Sequence, residues 1–244
     1  MSLIALVSDI HGNIDALEAV FHDIDSREVD EIICLGDIVG YGAAPAECVA
    51  LIRERCSATV IGNHDELVVR ANDEVIIPER VAAGLRLARS QLSDDQLAWL
   101  KELPRILQVH EFTIVHASLD CPEQYPYISS DAEARVHFRR QETALCFIGH
   151  THVPIIAEEA PEGIKWVIPG DKSILLNQDH RGVINVGSIG QPRDEDPRAS
   201  YGLFDNDHNT FQICRIPYDI KKAQERMRTA ELPESNAHRL ELGK

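Results

Sequence analysis

The side chains in this chain best suited to chemistry stand directly after short apolar runs. Leu3–Val7 is followed by Asp9 and His11, Ile32–Leu35 by Asp37, and Thr59–Ile61 by Asn63 and His64. Phe112–Val115 is followed by His116, and Leu145–Ile148 by His150 and His152. Each run reads as a buried strand, and in open α/β sheets ligand sites gather at the carboxyl ends of strands. Carboxylates, imidazoles and one amide oxygen, without thiolate, suit Mn, Fe, Co, Ni or Zn better than copper or an iron–sulfur cluster.

Each block taken alone is weak. An Asp two residues before a His is commonplace, and a lone His116 is more often a satisfied strand-end residue. His150 and His152 make a stronger pair, because alternate residues of an extended strand point to the same side. Asn63 offers a neutral oxygen where a further charge would be excessive. The conjunction at five strand ends carries the reading.

The elements that must position these groups alternate at first. Asn13 is placed to cap a helix through Leu17 and Val20, with Asp15 and Glu18 in its first turn. A second helix, about 45–56, opens with Pro45. Strand, helix, strand, helix, strand predicts a βαβαβ unit with parallel strands. Residues 66–103 read as helix, with Val81, Leu85, Ala88 and Leu92 on one face and a capping box from Ser93 to Gln96. This block is a helical layer over the sheet or a cap restricting substrate access. Residues 105–110 and 112–115 read as adjacent strands, and Ser130 as the cap of a helix over 132–140. After His152 the chain turns β-rich, at about 155–157, 165–168, 174–176, 183–186, 201–204 and 210–216. The first half thus reads as parallel sheet and the second as antiparallel. The expected architecture is α/β (α+β): two packed mixed sheets with helices outside, in one domain over 1–244. Its last part, 217–244, is an amphipathic packing helix through Ile220, Ala223 and Met227, then a polar tail after Pro233 that frays.

Composition sets limits. The net charge of −16, from 24 Lys and Arg against 40 Asp and Glu, excludes a duplex nucleic-acid partner, which needs a basic face. A small anion is still admissible where metal ions reverse the local field. The six cysteines show no zinc-knuckle or redox pairing and read as reduced thiols. Leu3–Val7 is too short for a signal-peptide core, and no apolar stretch approaches the roughly 20 residues of a membrane span. The expected setting is cytoplasmic, with no membrane partner. Oligomeric state is not legible.

In this order the five blocks resemble the calcineurin-like metallophosphoesterase superfamily, over about residues 1–204. The resemblance implies a four-layer αββα sandwich with a dinuclear site between the sheets. It implies that Asp9, His11, Asp37 and His152 hold one metal, and that Asp37, Asn63, His116 and His150 hold the other, with Asp37 bridging. Mn or Fe is the favoured cofactor pair. A hydroxide shared by two such ions has its pKa depressed toward neutrality, and its attack on a small phosphodiester or nucleotide is the expected reaction. His64 is the expected helper of the departing oxygen. Asp37 is followed by Ile38–Gly42, where the protein-phosphatase branch has Asp and then Arg, so phosphoprotein specificity is disfavoured. The run Gly187–Arg193 instead resembles small bacterial members related to nucleotide phosphodiesterases and diadenosine polyphosphate hydrolases, and it offers Arg193 as a phosphate contact. Tyr41, Tyr125 and Tyr127 offer rings on which a base can stack. Phosphomonoester or phosphoprotein hydrolysis, or a scaffold without turnover, are the rival readings.

Overall fold

The computed structural model describes residues 3–70, 77–177 and 179–244. Along the chain run β1 (Leu3–Val7), α1 (Ile14–Asp25), β2 (Glu31–Cys34), α2 (Pro45–Arg55), β3 (Ala58–Thr59), α3 (Asn63–Val69), α4 (Glu79–Gln91), α5 (Asp94–Glu102), β4 (Ile106–Val109) and β5 (Phe112–Val115). They continue as α6 (Asp131–Phe138), β6 (Leu145–Ile148), β7 (Ile155–Ala160), β8 (Gly163–Val167), β9 (Ile174–Leu175), β10 (Arg181–Asn185), β11 (Ala199–Asp205), β12 (Thr210–Ile216), α7 (Ile220–Thr229) and α8 (Glu234–Leu242).

Strand β1 shows how the layers arise. Successive side chains of a strand point to opposite faces. Ala5 and Val7 pack among Leu17, Val20 and Ile52 from the helices α1 and α2. Ile4 and Leu6 pack instead against Phe112, Phe147 and Ile184 of the other sheet. Strand β6 does the same from the far side. Leu145 and Phe147 join that central core, while Cys146 and Ile148 meet Ala134 and Phe138 of α6. A strand apolar on both faces has to be covered on both, and the result is a four-layer sandwich.

One sheet runs β3-β2-β1-β11-β12-β9 and the other β4-β5-β6-β10-β7-β8. The expected βαβαβ unit is present, with β1, β2 and β3 parallel. The expected split into a parallel first half and an antiparallel second half is corrected by the pairing. Strand β11 returns to lie antiparallel to β1, and β10 lies parallel to β6. Each sheet is mixed, as the expected architecture has it, and each draws on both halves of the chain.

Local signals behave as their chemistry requires. The Asn13 side chain accepts from the Ala16 amide at 3.2 Å, and Ser93 and Gln96 cap one another at 3.1 and 3.2 Å. Within the expected helical block 66–103, residues 71–76 lie outside the described residues. Val68, Val81, Leu85 and Leu100 of that block pack onto the outer face of the first sheet.

The segment after Pro233 is a second correction. It forms α8, with Ala237 and Leu240 buried against Met227 of α7. The pattern is short, and only the partner helix makes it apolar enough to fold. Helix α7 is held to α1 by Lys222 and Arg226 on Asp15, at 2.7 and 2.9 Å. No helix among the described residues is long and apolar enough to cross a membrane.

Candidate metal centre

The five blocks meet at one end of the sandwich, between the two sheets. Two carboxylates organise it. Asp9 has one oxygen held, its Oδ2 accepting from Ser8 Oγ at 2.6 Å and from the His150 amide at 2.9 Å. Its Oδ1 is buried without a hydrogen-bond donor and lies 3.1 Å from His152 Nε2 and 3.6 Å from His11 Nε2. Asp37 repeats the device. Its Oδ1 accepts from the His64 amide at 2.8 Å, while its Oδ2 stands 3.3 Å from His116 Nε2 and 3.7 Å from His11 Nε2.

Three imidazoles are oriented from behind. Nδ1 of His11, His116 and His152 faces the main-chain oxygens of Val39, Leu35 and Gln191 at 3.1, 2.7 and 2.6 Å. A carbonyl only accepts, so each Nδ1 carries a proton and Nε2 is the nitrogen each ring turns inward. That is the arrangement by which a metal-ligating histidine is fixed. His11 Nε2 and His152 Nε2 lie 3.1 Å apart, two acceptors facing each other. Ligands on a first-row metal sit roughly 2.0–2.2 Å from the ion, and so about 3.0–3.5 Å from one another.

The donor atoms fall into ligand-distance groups that fit metal ions. Asp9, His11 and His152 make one, and Asp37, His116 and His150 another. The Asn63 side-chain oxygen is buried with no donor, as an amide ligand must be. A third group, His11, Asp37 and His64, shows how near His64 stands to both carboxylate and imidazole. Six of the seven residues expected as ligands, Asp9, His11, Asp37, His116, His150 and His152, fall in these groups.

The electrostatics point the same way. Burial raises the Asp9 and Asp37 carboxyls, but the surrounding imidazoles, chiefly His152 for Asp9 and His116 for Asp37, hold both well below the usual range. Burial pushes His150, His152 and His64 down to about 3, 4 and 3. His116 is pushed up to about 9: burial opposes the charge and Asp37 overrides it. Buried anions with unfilled lone pairs leave a deficit of positive charge, which a divalent ion would satisfy with displacement of the His116 proton.

The backbone is bent to serve the site. Asp9, His11, Asp37, His150 and His152 all have positive φ, between 50° and 69°. Such non-glycine geometry costs of order 1 kcal/mol or more per residue and clusters at functional sites. It also corrects the reasoning for His150 and His152. Strand β6 ends at Ile148, and the two imidazoles reach separate ligand groups by left-handed turns rather than by strand alternation.

Other residues were not expected. Asp65, fully buried, accepts from the amides of Ile38, Val39 and Gly62 at 2.9, 3.1 and 3.1 Å and so moulds the loop carrying Asp37. Its carboxyl is pushed up to about 7 by burial and by Asp37. A Cβ at Gly62 would overlap Asp37 Oδ1, and one at Gly149 would overlap Ser8 Oγ and Asp9 Oδ2. The Gly before Asn63 and the Gly before His150 were the available signal.

Arg193 and the tyrosines form the rim. The Arg193 amide donates to the His152 carbonyl at 3.3 Å and its Nη2 to Gln191 Oε1 at 3.1 Å. Tyr41 is buried, its ring 4.8 Å from that of His11 and 4.7 Å from that of His64. Tyr125 donates to Glu66 at 2.6 Å. Tyr127 stacks on His150 at 4.5 Å and 19° and is half exposed, so of the three only Tyr127 presents an open ring.

Comparison with known proteins agrees with this geometry. Residues 2–209 match the Calcineurin-like phosphoesterase superfamily domain. The chain is 39% identical to an uncharacterized protein of Methanocaldococcus jannaschii, over 100% of this chain and 99% of that one. It is 24% identical to phosphodiesterase YfcE of Escherichia coli, over 85% and 89% of the two chains. The crystal structure of a metallophosphoesterase from Sphaerobacter thermophilus superposes with a TM-score of 0.88 at 38% identity, covering 100% of this chain and 99% of the other. With a full-length match of fold and a ligand cluster at the strand ends, the chain belongs to the calcineurin-like phosphoesterase superfamily and is a phosphoric ester hydrolase.

Proposed function

We propose that this chain, as one domain over 1–244, is a dinuclear-metal-dependent phosphodiesterase acting on small phosphate esters or nucleotides. One observation carries the reading: Asp37 Oδ2 faces His11 on one side and His116 on the other, the placement of a bridging ligand between two sites. Asp9, His11, Asp37 and His152 would hold one ion, and Asp37, Asn63, His116 and His150 the second. Manganese or iron suits this set best, and zinc, cobalt and nickel are admissible. Bound there, two ions polarise a phosphoryl group and make water a nucleophile at neutral pH.

The remaining work belongs to side chains. His64 is neutral in the free site, since burial pushes it down to about 3. Its ring therefore helps the leaving oxygen as a hydrogen-bond donor, with the bound anion favouring proton transfer as charge builds. Gly40 makes the room, because a Cβ there would overlap His64 Nδ1. Arg193 meets a non-bridging phosphoryl oxygen. Its Nε is buried without a partner, a donor whose acceptor the substrate supplies.

The rival readings are less well supported. No residue in the Ile38–Gly42 segment takes the place of an arginine clamp, which tells against phosphoproteins. A scaffold has no use for the strained, matched ligand set. The buried free thiols Cys34, Cys48, Cys146 and Cys214 support a reducing, cytoplasmic setting. The test is a panel of phosphodiesters, phosphomonoesters and phosphopeptides on protein stripped by chelation and reloaded with single metals. Preference for diesters under Mn or Fe is expected, and turnover confined to phosphopeptides would refute it.

A further inference from the structure

Among the described residues, the buried oxygens Asp9 Oδ1 and Asn63 Oδ1 have no donor, and a cation would satisfy them. Two buried nitrogens outside the imidazoles are also without a partner, Gln191 Nε2 and Arg193 Nε. A donor with nothing to meet calls for the opposite ligand, an acceptor. Both sit in the loop after β10, on either side of Pro192.

This loop is built onto one of the two ligand groups. Ser188 Oγ donates to the Asp9 carbonyl at 2.8 Å, and the Gly190 amide donates to the same oxygen at 2.9 Å. Asn13 Nδ2 donates to the Gly190 carbonyl at 3.0 Å. The Gln191 amide donates to Ser188 Oγ at 2.9 Å, and the Gln191 main-chain oxygen accepts from His152 Nδ1 at 2.6 Å. Gln191 is only 1% exposed, so water does not satisfy its side chain.

The orientation of that side chain follows from its neighbour. Arg193 Nη2 stands 3.1 Å from Gln191 Oε1. A guanidinium only donates, so the facing atom has to be the oxygen, and the NH2 is the end turned away. Gln191 thus commits its acceptor to Arg193 and leaves a buried NH2 without one, a costly state until a ligand supplies the missing oxygen. Arg193 is in the same position. Its Nη2 also reaches the Tyr41 hydroxyl at 3.5 Å, and its Nε is left over. The Tyr41 ring in turn lies 4.8 Å from that of His11 and 4.7 Å from that of His64. The two free donors therefore border the metal centre on its His11 and His152 side.

We propose that Gln191 is a substrate-binding residue: its side-chain NH2 and the Arg193 Nε–H together take a non-bridging oxygen of the phosphoryl group under attack, while the Gln191 oxygen aims the guanidinium. The inference rests on the phosphodiesterase reading of the same site and deepens it by one residue.

Two variants separate the two ends of the amide. Gln191→Glu keeps an acceptor for Arg193 and replaces the NH2 by a second oxygen, whereas Gln191→Met keeps the length and removes both. Mn-loaded wild type and variants are compared in bis(p-nitrophenyl) phosphate hydrolysis, in inhibition by inorganic phosphate, and in the rise of Tm that inorganic phosphate produces. Gln191→Met should raise KM and the phosphate inhibition constant together by roughly tenfold to a hundredfold, as for one hydrogen bond to a charged group, and should shrink the Tm rise. Gln191→Glu should be impaired at least as much, since its carboxylate repels the phosphoryl oxygen. Metal content should stay at the wild-type level, because the oxygen that holds His152 is main chain. A Gln191→Glu variant with wild-type KM and phosphate response would overturn the contact, as would a Gln191→Met variant with both constants unchanged or with losses that follow metal content. Loaded wild type that neither cleaves the diester nor responds to phosphate would instead overturn the phosphodiesterase reading.

Discussion

Nδ1 of His116, just past the end of one sheet's β5, donates to the carbonyl oxygen of Leu35, just past β2 of the other sheet, across 2.7 Å. This bond pins the two halves of the sandwich at the site and aims the buried, unpartnered Nε2 of His116 at Asp37. The imidazole is thus a strut between the sheets, and the same bond fixes the orientation it would need as a metal ligand. The consequences can be tested one at a time.

The glycines against the carboxylates are the first. Gly149→Ala inserts a methyl group where Ser8 Oγ and Asp9 Oδ2 lie, so Asp9 must leave its place. Overpacking costs roughly 1–3 kcal/mol in stability, but metal content should fall by much more than folding does. Metal analysis beside a thermal melt separates the two, and a fully loaded, active variant would contradict the assignment of Asp9.

Asp65 is the second. It is acceptor-only toward three amides, and an asparagine would turn an NH2 toward one of them. Asp65→Asn should cost about 1–3 kcal/mol from the unsatisfied donors and weaken metal binding through the displaced Asp37 loop. Denaturant unfolding of the chelated protein measures the first effect and metal titration the second.

His137 gives a pH dependence remote from the ligands. It is fully buried, its Nδ1 accepting from the Leu119 amide at 3.1 Å and its Nε2 donating to Gln141 at 3.1 Å. Burial pushes its pKa down to about 4. The unfolded chain, with an ordinary value near 6.5, binds the proton first as pH falls. The stabilising contribution is therefore complete above pH 6.5 and lost between there and pH 4, about 3 kcal/mol in all. Unfolding free energies of chelated wild type and His137→Asn, followed from pH 7 to pH 4, should converge by about that amount. Parallel curves would refute it.

His64 is tested through its leaving group. An alkyl or nucleoside oxygen needs help that p-nitrophenolate does not, so His64→Asn should slow the former by roughly 10² to 10⁴ and the latter by less. Equal loss on both esters at full metal occupancy would leave His64 with a positioning role.

The residues of the cluster were legible because each follows an apolar run that only a strand explains. Its geometry was less so. His150 and His152 were paired on strand alternation, yet both sit in left-handed turns past β6 that no periodicity encodes. Ser8 serves the site by donating its hydroxyl to Asp9 and Asp65 by accepting from the amides of Ile38, Val39 and Gly62, and a lone Ser or Asp in a sequence carries no such mark. The return of β11 beside β1 is a long-range pairing without local signal, and α8 gains its apolar face only against α7. Arg193 meets the Tyr41 ring from a distant segment of the chain, and only packing reveals that contact.

The most direct test of the central claim is a metal titration. Chelated protein is reloaded with Mn in steps while bis(p-nitrophenyl) phosphate hydrolysis and bound metal are measured together, for wild type and for Asp37→Ala. The shared position of Asp37 predicts that wild-type activity rises steeply with the second equivalent and saturates at two ions per chain, and that Asp37→Ala loses both activity and the paired occupancy. Full turnover by metal-free protein, saturation at a single equivalent, or an Asp37→Ala variant with two ions and normal rates would contradict a dinuclear centre bridged by Asp37.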